Sequence, residues 1–261
     1  MVNSMQKALI KKDIGYVTSD KSQFALYLVP LVFLVAIPII FFLIFNFAPH
    51  VMQQILDILP MGRQFDAVDS YFVAYMLNSV MPVLFTMIPV MFASTMAASS
   101  FVGEKEKRTL ETLLYCPLSL RQIYQAKVWA SFLLSMIVTF VSFMIMLIVV
   151  IFGTRLTTGS VILPGLSWIF TVFLIAPAIS VISIAFIVRG SAKAKTAEES
   201  FQGSVVFVLP LILIVIGQFA GVVMINMWYL MGAGVILCVT GAVMMRYCTG
   251  NFTYEVLLRR G

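Results

Sequence analysis

Six apolar runs without a single Asp, Glu, Lys or Arg divide the chain: Phe24 to Phe47, Tyr71 to Ala98, Trp129 to Phe152, Leu166 to Val188, Phe201 to Met224 and Trp228 to Met245. About 20 apolar residues in helical form cross a hydrocarbon core of about 30 Å, so each run predicts one membrane span. The first run follows a polar stretch, residues 1–23, and lacks a small-residue cleavage site after it, which predicts a retained helix rather than a secretion signal. The pattern as a whole predicts an all-α, polytopic membrane protein, one transmembrane domain over residues 1–261. The segments joining spans one and two (48–70), three and four (153–165), and five and six (a turn near Asn226) are too short for a separate folded domain. In the first of them Val51, Ile55, Leu56 and Leu59 fall at helical spacing before Pro60, which predicts an amphipathic helix in the headgroup plane, either a cap or a gate over the bundle.

Composition agrees with the pattern: 61% of residues are hydrophobic and 11% charged, against about 45–50% and 25% in soluble domains. The net charge of +6 changes the picture through its distribution. The successive polar segments carry 4, 1, 5, 1, 3, 0 and 3 basic residues. Basic residues are retained on the cytoplasmic side, so the alternation predicts both termini in the cytoplasm. The basic excess is then a topology signal and calls for no nucleic acid.

The chemistry of the chain is mostly a matter of what its spans lack. His50 is the single histidine, and Cys116, Cys238 and Cys248 fall in no ligand spacing, so no metal site is expected. No Asp, Glu, His, Lys or Arg lies within the six runs, whereas proton-coupled carriers place one inside the bundle. A sodium site built from carbonyls and hydroxyls stays open. Intramembrane proteolysis would need a nucleophile with a base, or paired carboxylates, at depth, and neither is present, so no catalytic residue is assigned. The chain also lacks a GxxxxGK[ST] loop and carries no ATPase of its own. Any work it does draws on a partner, which needs a docking element on the cytoplasmic side.

That element is expected between the second and third spans, where Phe101 to Lys127 reads FVGEKEKRTLETLLYCPLSLRQIYQAK. Gly103 offers a turn after the span, and Glu104 and Glu106 then suit the first turn of a short helix, where the dipole favours negative charge. Thr109, Leu110, Leu113 and Leu114 form an apolar stripe with Glu111 and Thr112 beside it. Pro117 ends this helix, and Ser119 is placed to cap a second one, Leu120 to Lys127, feeding the third span. A short amphipathic helix across the cytoplasmic mouth suits either transmission of a push or simple anchorage in headgroups.

The segment resembles the signature of ABC-2 type permeases, the membrane subunits of ATP-binding-cassette exporters: GE-x-E-x-x-TLE-x-LL-x-x-P-x-x-R-x-x-x-x-x-x-K between the second and third of six helices. Gly103, Glu104, Glu106, Thr109, Leu110, Glu111, Leu113, Leu114, Pro117 and Lys127 fall on it, Arg108 stands where glycine is common, and Arg121 lies one position later than the usual arginine. The stretch from Leu9 to Pro30, with Lys11, Lys12 and Asp13, is similar to the family's N-terminal connecting helix, and SAKAKTAEES (191–200) to its second cytoplasmic loop. The tail FTYEVLLRR (252–260) is similar to the family's short basic end.

The resemblance implies a six-helix permease with an interfacial connecting helix over residues 1–23 and a coupling helix between spans two and three. It implies two ABC ATPase subunits as partners, docking on Glu104, Glu106, Arg108, Thr109, Leu110, Glu111, Leu113, Leu114, Pro117 and Arg121, and a second permease copy, most simply a homodimer. ATP and Mg would be bound by the ATPase, with no cofactor on this chain. It further implies a pathway at the dimer interface lined by the second and fifth helices. Asn78, Phe85, Phe92 and Ser99 recur every seven residues in the second run, with Pro82 and Pro89 between them, and Gln202, Pro210 and Gln218 lie in the fifth. Asn78 and Gln218 suit either substrate contact or helix-to-helix hydrogen bonding. A charge-free interior rich in Phe and Met favours a hydrophobic or amphipathic cargo, such as a drug, a lipid or a membrane-active peptide. The competing functions are a sodium-extruding permease of the same family, a non-transporting scaffold or immunity protein, and a channel or carrier working without ATP.

Overall fold

In the computed structural model of the chain the structure describes residues 21–48, 70–106, 119–159, 161–191, 196–223 and 225–250, with single positions 12, 15, 50, 51, 54 and 194. Every regular element among them is helical. We number them α1 (Lys21–Phe47), α2 (70–106), α3 (Leu120–Thr158), α4 (Leu166–Ser191), α5 (Ala197–Gln202), α6 (Val205–Phe219) and α7 (Met227–Gly250). Five stretches are long and apolar enough to cross a membrane: Phe72–Gly103, Gln122–Thr158, Leu166–Ser191, Glu199–Phe219 and Met227–Arg246. They coincide with the second to sixth apolar runs. In α1 the described apolar stretch is the shorter Val35–Phe47.

The helices alternate in direction, as contacts between neighbours show. Lys127 and Ser135 of α3 meet Ser100 and Pro89 of α2, so these two run antiparallel. Gly165 and Trp168 of α4 meet Asn78 and Leu77 near the start of α2, and Ile184 to Val188 pack on Ala93 to Ala98 further along, so α4 runs parallel to α2. The end of α6 reaches Ser79 through Gln218, making α6 antiparallel again. The central rod is α2, whose apolar stretch is mostly buried, as is that of α4, whereas α6 and α7 lie at the periphery. Their outer faces expose Leu209, Ile212, Leu213 and Ile216 on α6 and Val235, Ile236, Val239 and Val243 on α7. Apolar faces of that extent suit hydrocarbon and are foreign to soluble monomers.

Two close approaches fix the packing. Gly153 of α3 lies where α1 crosses, and a Cβ there would fall 2.3 Å from the Phe42 ring. Gly234 of α7 sits likewise against Leu174 of α4, at 2.5 Å. Small residues at crossings let membrane helices gain dispersion contacts that lipid cannot replace. At the end of α3 Gly159 takes the left-handed conformation, φ 69°, which closes the helix without the Cβ penalty of other residues.

The helix ends differ from those read from hydropathy. The helix expected from Leu120 to Lys127 and the span from Trp129 to Phe152 are one rod of 39 residues, about 58 Å long. It also takes up Gly153 to Thr158, expected as part of a connecting loop. The turn expected at Gly103 is absent, because α2 runs straight through it. Glu104 and Glu106 therefore belong to the last turns of the described α2 and do not open a new short helix. A helical glycine costs about 1 kcal/mol relative to alanine, too little to break a helix held by the fully buried Val102 and continued by Glu and Lys.

Candidate functional site

The docking element is expected between α2 and α3, and the ends of these two helices that flank it, the legs of the expected hairpin, are described. Arg108, Thr109, Leu110, Glu111, Leu113, Leu114 and Pro117 lie outside the described residues, as do Lys11 and Asp13 and the side chains of Glu104, Glu106 and Arg121. Lys12 is helical and exposed. Where the chain re-emerges, Ser119 caps α3 as expected. Its hydroxyl accepts the Gln122 N–H at 3.3 Å, and the Gln122 side-chain oxygen accepts the Ser119 N–H at 3.0 Å. This reciprocal box satisfies two donors that a helix start leaves open, and such a cap is worth about 1 kcal/mol.

Two turns further on, Lys127 points into the bundle and is only 3% exposed. Its ammonium donates to the Ser100 carbonyl and, at 3.3 Å, to the Ser100 hydroxyl, and lies 5.6 Å from the centre of the Phe101 ring. Phe101 in turn packs on Tyr124 at 5.7 Å. Hydrogen bonds from a charged donor contribute about 1.5–3 kcal/mol, and a buried ammonium without them would cost several. Hydropathy gives Lys127 no role beyond its place in the signature and at the end of the helix expected from Leu120, because a charge ends an apolar run. The signal was one of phase. Ile123, Lys127, Ser131, Ser135, Thr139, Ser142, Met146 and Val150 recur at three- and four-residue steps, and all are buried.

At the other end of the bundle α2 and α4 share an irregularity. Residues Met76–Val80 of α2 and Thr171–Ile175 of α4 form single π turns, and a proline follows each by two residues, Pro82 and Pro177. The residue before each proline donates five positions back, Met81 to Met76 and Ala176 to Thr171. The wider turn makes room for a ring that lacks an N–H and would clash with a regular helix. Two prolines, Pro82 and Pro89, stand in α2 itself. Only Pro82 accompanies a π turn; Pro89 sits in the first turn of the segment Met87–Glu106, after a break at Thr86, where a missing N–H matters least. Pro177 was not singled out.

The π turn of α2 leaves carbonyls that side chains of other helices satisfy. Trp168 donates its indole N–H to the Leu77 carbonyl at 2.9 Å, and Gln218 its amide to the Ser79 carbonyl at 2.9 Å. Cys238 of α7 points its thiol at the Leu174 carbonyl in the second π turn, at 3.7 Å. Asn78 donates to the Ala74 carbonyl at 3.0 Å and accepts the Gly165 N–H at 2.6 Å, holding the start of α4. Asn78 and Gln218, which suited two roles, are thus both engaged in bonds that join helices. Gln218 is fully buried, and its side-chain oxygen has no hydrogen-bond partner among the described residues.

Phe85 and Phe92, on the same sevenfold face as Asn78, lie in the core rather than on a surface. Phe85 meets Trp168 edge-on at 5.4 Å and Phe143 at 6.2 Å. Ser99, the fourth member, is half-buried and bonds to the Met96 carbonyl. Gln202 is exposed at the end of α5 and, on the register above, far from Gln218 along the bundle.

What opens between helices is a cavity of about 530 Å³ bounded by α2, α4, α6 and α7. Val83 and Thr86 line it from α2, Ile175 and Ile179 from α4, and Leu211 and Ile214 from α6. Val222, Val223, Ile225, Tyr229, Leu230, Ala233 and Leu237 complete it. The Thr86 hydroxyl is turned to the Val83 carbonyl at 2.6 Å, leaving Tyr229 as the main polar group of an apolar wall. The volume falls in the range of small-molecule sites, about 300–1,000 Å³. Sequence reading missed it because it belongs to the spaces between helices. Among the described residues no cluster of His, Cys, Asp and Glu could hold a metal ion.

The family model described as ABC-2 family transporter protein matches residues 26–197, more than half of the chain and including the hairpin and both π turns. No curated protein matches the chain, and no solved structure does. With several helices long and apolar enough to cross a membrane, the chain is a multi-pass membrane protein, and it belongs to the ABC-2 family of transporter proteins.

Proposed function

We propose that this ABC-2 family member, a permease subunit of an ABC transporter that works with an ABC ATPase as partner, exports a hydrophobic or amphipathic cargo from the bacterial cytoplasm, with α1 as a sixth crossing and both termini inside. Two ATPase subunits dock on the hairpin tip, residues 107–118, and on the connecting helix before α1, and a second permease copy completes the assembly. ATP-driven closure of the ATPases pushes on the tip and switches the bundle between inward-open and outward-open states.

The observation that carries the cargo class is the apolar cavity of about 530 Å³. Its wall is apolar apart from Thr86 and Tyr229, so hydrocarbon of some kind is its natural content. Val83, Thr86, Leu211 and Ile214 of that wall belong to the second and fifth spans, the helices that line the pathway in the family as the resemblance has it, and the fourth and sixth spans supply much of the rest. The pathway then opens between α2 and α6 when the Gln218 bond to Ser79 breaks, and Phe85 and Phe92 follow with the α2 wall.

The test is ATP-dependent extrusion of a fluorescent amphipathic dye from proteoliposomes holding the permease with its ATPase. Ile214→Trp, which fills the cavity, should lower extrusion about tenfold, within the range of single-methylene to whole-side-chain pocket effects. Extrusion unchanged by Ile214→Trp would contradict this assignment, and flux from the permease alone would favour a channel.

A further inference from the structure

The buried Lys127 ammonium joins the start of α3 to the described end of α2. Lys127 is 27 residues from Ser100 in sequence, and the segment read above as the docking element lies between them. Three of its contacts, with the Ser100 carbonyl, the Ser100 hydroxyl and the Phe101 ring, lie on the opposite leg. Below this point the cap at Ser119 and the buried Tyr124, packed on Phe101, hold the α3 leg by backbone and apolar contacts, and Lys127 adds the charged tie. Above it, α3 continues unbroken to Thr158, whereas α2 is interrupted at Thr86 and at its π turn.

A force applied at the tip has two outcomes in this geometry. If the legs are free to part, the hairpin splays and the bundle stays where it is. If they are tied, both legs move together and α3, the stiffest rod of the bundle, carries the displacement to its far end. We propose that Lys127 is the positioning residue that ties the legs, so that docking of the ATPase is converted into movement of α2 and α3 as one body. A carbonyl acceptor on a helix backbone suits this role, because it cannot swing away as a carboxylate side chain would. The ammonium also needs its partners, since charge buried at a helix interface cannot go unpaired. The inference rests on the reading of residues 107–118 as the ATPase-docking tip.

The experiment compares wild type, Lys127→Met and Lys127→Arg in lipid nanodiscs and proteoliposomes with the ATPase. Spin labels at positions 103 and 119 report the spacing of the legs; a Cβ at Gly103 meets nothing within 4 Å, so the label is accommodated. For Lys127→Met we expect retained ATPase association, a broadened 103–119 distance distribution, and transport per ATP reduced about tenfold, within the usual span of coupling between sites. Lys127→Arg keeps a cationic donor in place and should restore both readouts; a merely space-filling lysine would be replaced better by methionine. A narrow distance and intact transport per ATP in Lys127→Met would overturn the proposal. If that variant does not accumulate in the membrane, Ser100→Ala with Phe101→Leu removes two of the three contacts. It should reduce transport per ATP about threefold, as expected for losing a partly desolvated cation–π contact, and no reduction would overturn the proposal. Should wild-type permease fail to bind the ATPase, the docking reading fails, while the spin-label distances in the permease alone still decide whether Lys127 ties the legs.

Discussion

Individual side chains in this bundle act chiefly as joints, and glycine shows it as clearly as lysine. At Gly153 a methyl group would enter the Phe42 ring, whereas at Gly232 of α7 it would meet nothing within 4 Å. Gly153→Ala should therefore destabilise the protein by about 1–3 kcal/mol through overpacking. Gly232→Ala should be neutral or stabilise by up to about 1 kcal/mol through helix propensity. Thermal unfolding of the two variants in detergent checks the pair; equal midpoints would show that α1 does not pack on α3 as described. Such joints were only partly legible in the sequence. Asn78 and Gln218 announce themselves as polar residues in apolar runs, but not which neighbour they reach. Lys127 was hidden for the opposite reason, its charge having set it outside the third span when its four-residue phase with Ser131 and Ser135 places it inside the bundle.

At the scale of the helix, hydropathy located the membrane crossings and misjudged the helices. Apolar runs measure the hydrocarbon layer, while helix ends are set by caps. Ser119 and Gly159 therefore bound a rod that overshoots its apolar run at both ends. Gly103 could not stop α2, since glycine alone weakens a helix without providing a partner for its last carbonyls. The prolines were visible as points of weakness, yet the sequence gives no hint that two parallel helices carry the same π turn and proline pair, or that Trp168 and Gln218 serve the carbonyls of α2. This arrangement predicts that Pro82 costs little stability, because carbonyls of its turn already have partners. Pro82→Ala should raise stability by about 1 kcal/mol, well short of the roughly 3 kcal/mol cost of a proline in an ordinary helix interior. It should also slow transport by stiffening the wall of the cavity. Hydrogen exchange across residues 72–90 checks it: slower exchange with reduced transport is expected, and faster exchange would refute the account of the π turn.

For the whole molecule, the length of the apolar runs and one segment between the second and third of them carried the reading a long way. The all-helical build, five of the crossings and the family were legible because each rests on a pattern of many residues. The cavity and the tie between the hairpin legs were not, since both arise where helices meet. The bundle that results has a buried α2 at its centre and two peripheral helices, α6 and α7, whose apolar outer faces suit lipid or a second copy of the chain. Its wide apolar cavity lies between these parts, and its one described buried ammonium sits at the foot of the hairpin.

The central claim is that the hairpin tip receives an ATPase that powers the permease. Glu111→Arg combined with Leu114→Asp alters the tip by one charge reversal and one buried-type leucine, outside the described bundle. Tagged permease, wild type and double variant, co-expressed with the ATPase and purified into nanodiscs, tests this in one pull-down with ATP turnover. The account predicts ATPase on the wild type and loss of at least about 90% of it from a double variant that still inserts, the effect of an interface charge that costs roughly 1.4 kcal/mol or more. Equal recovery of ATPase on both would contradict it.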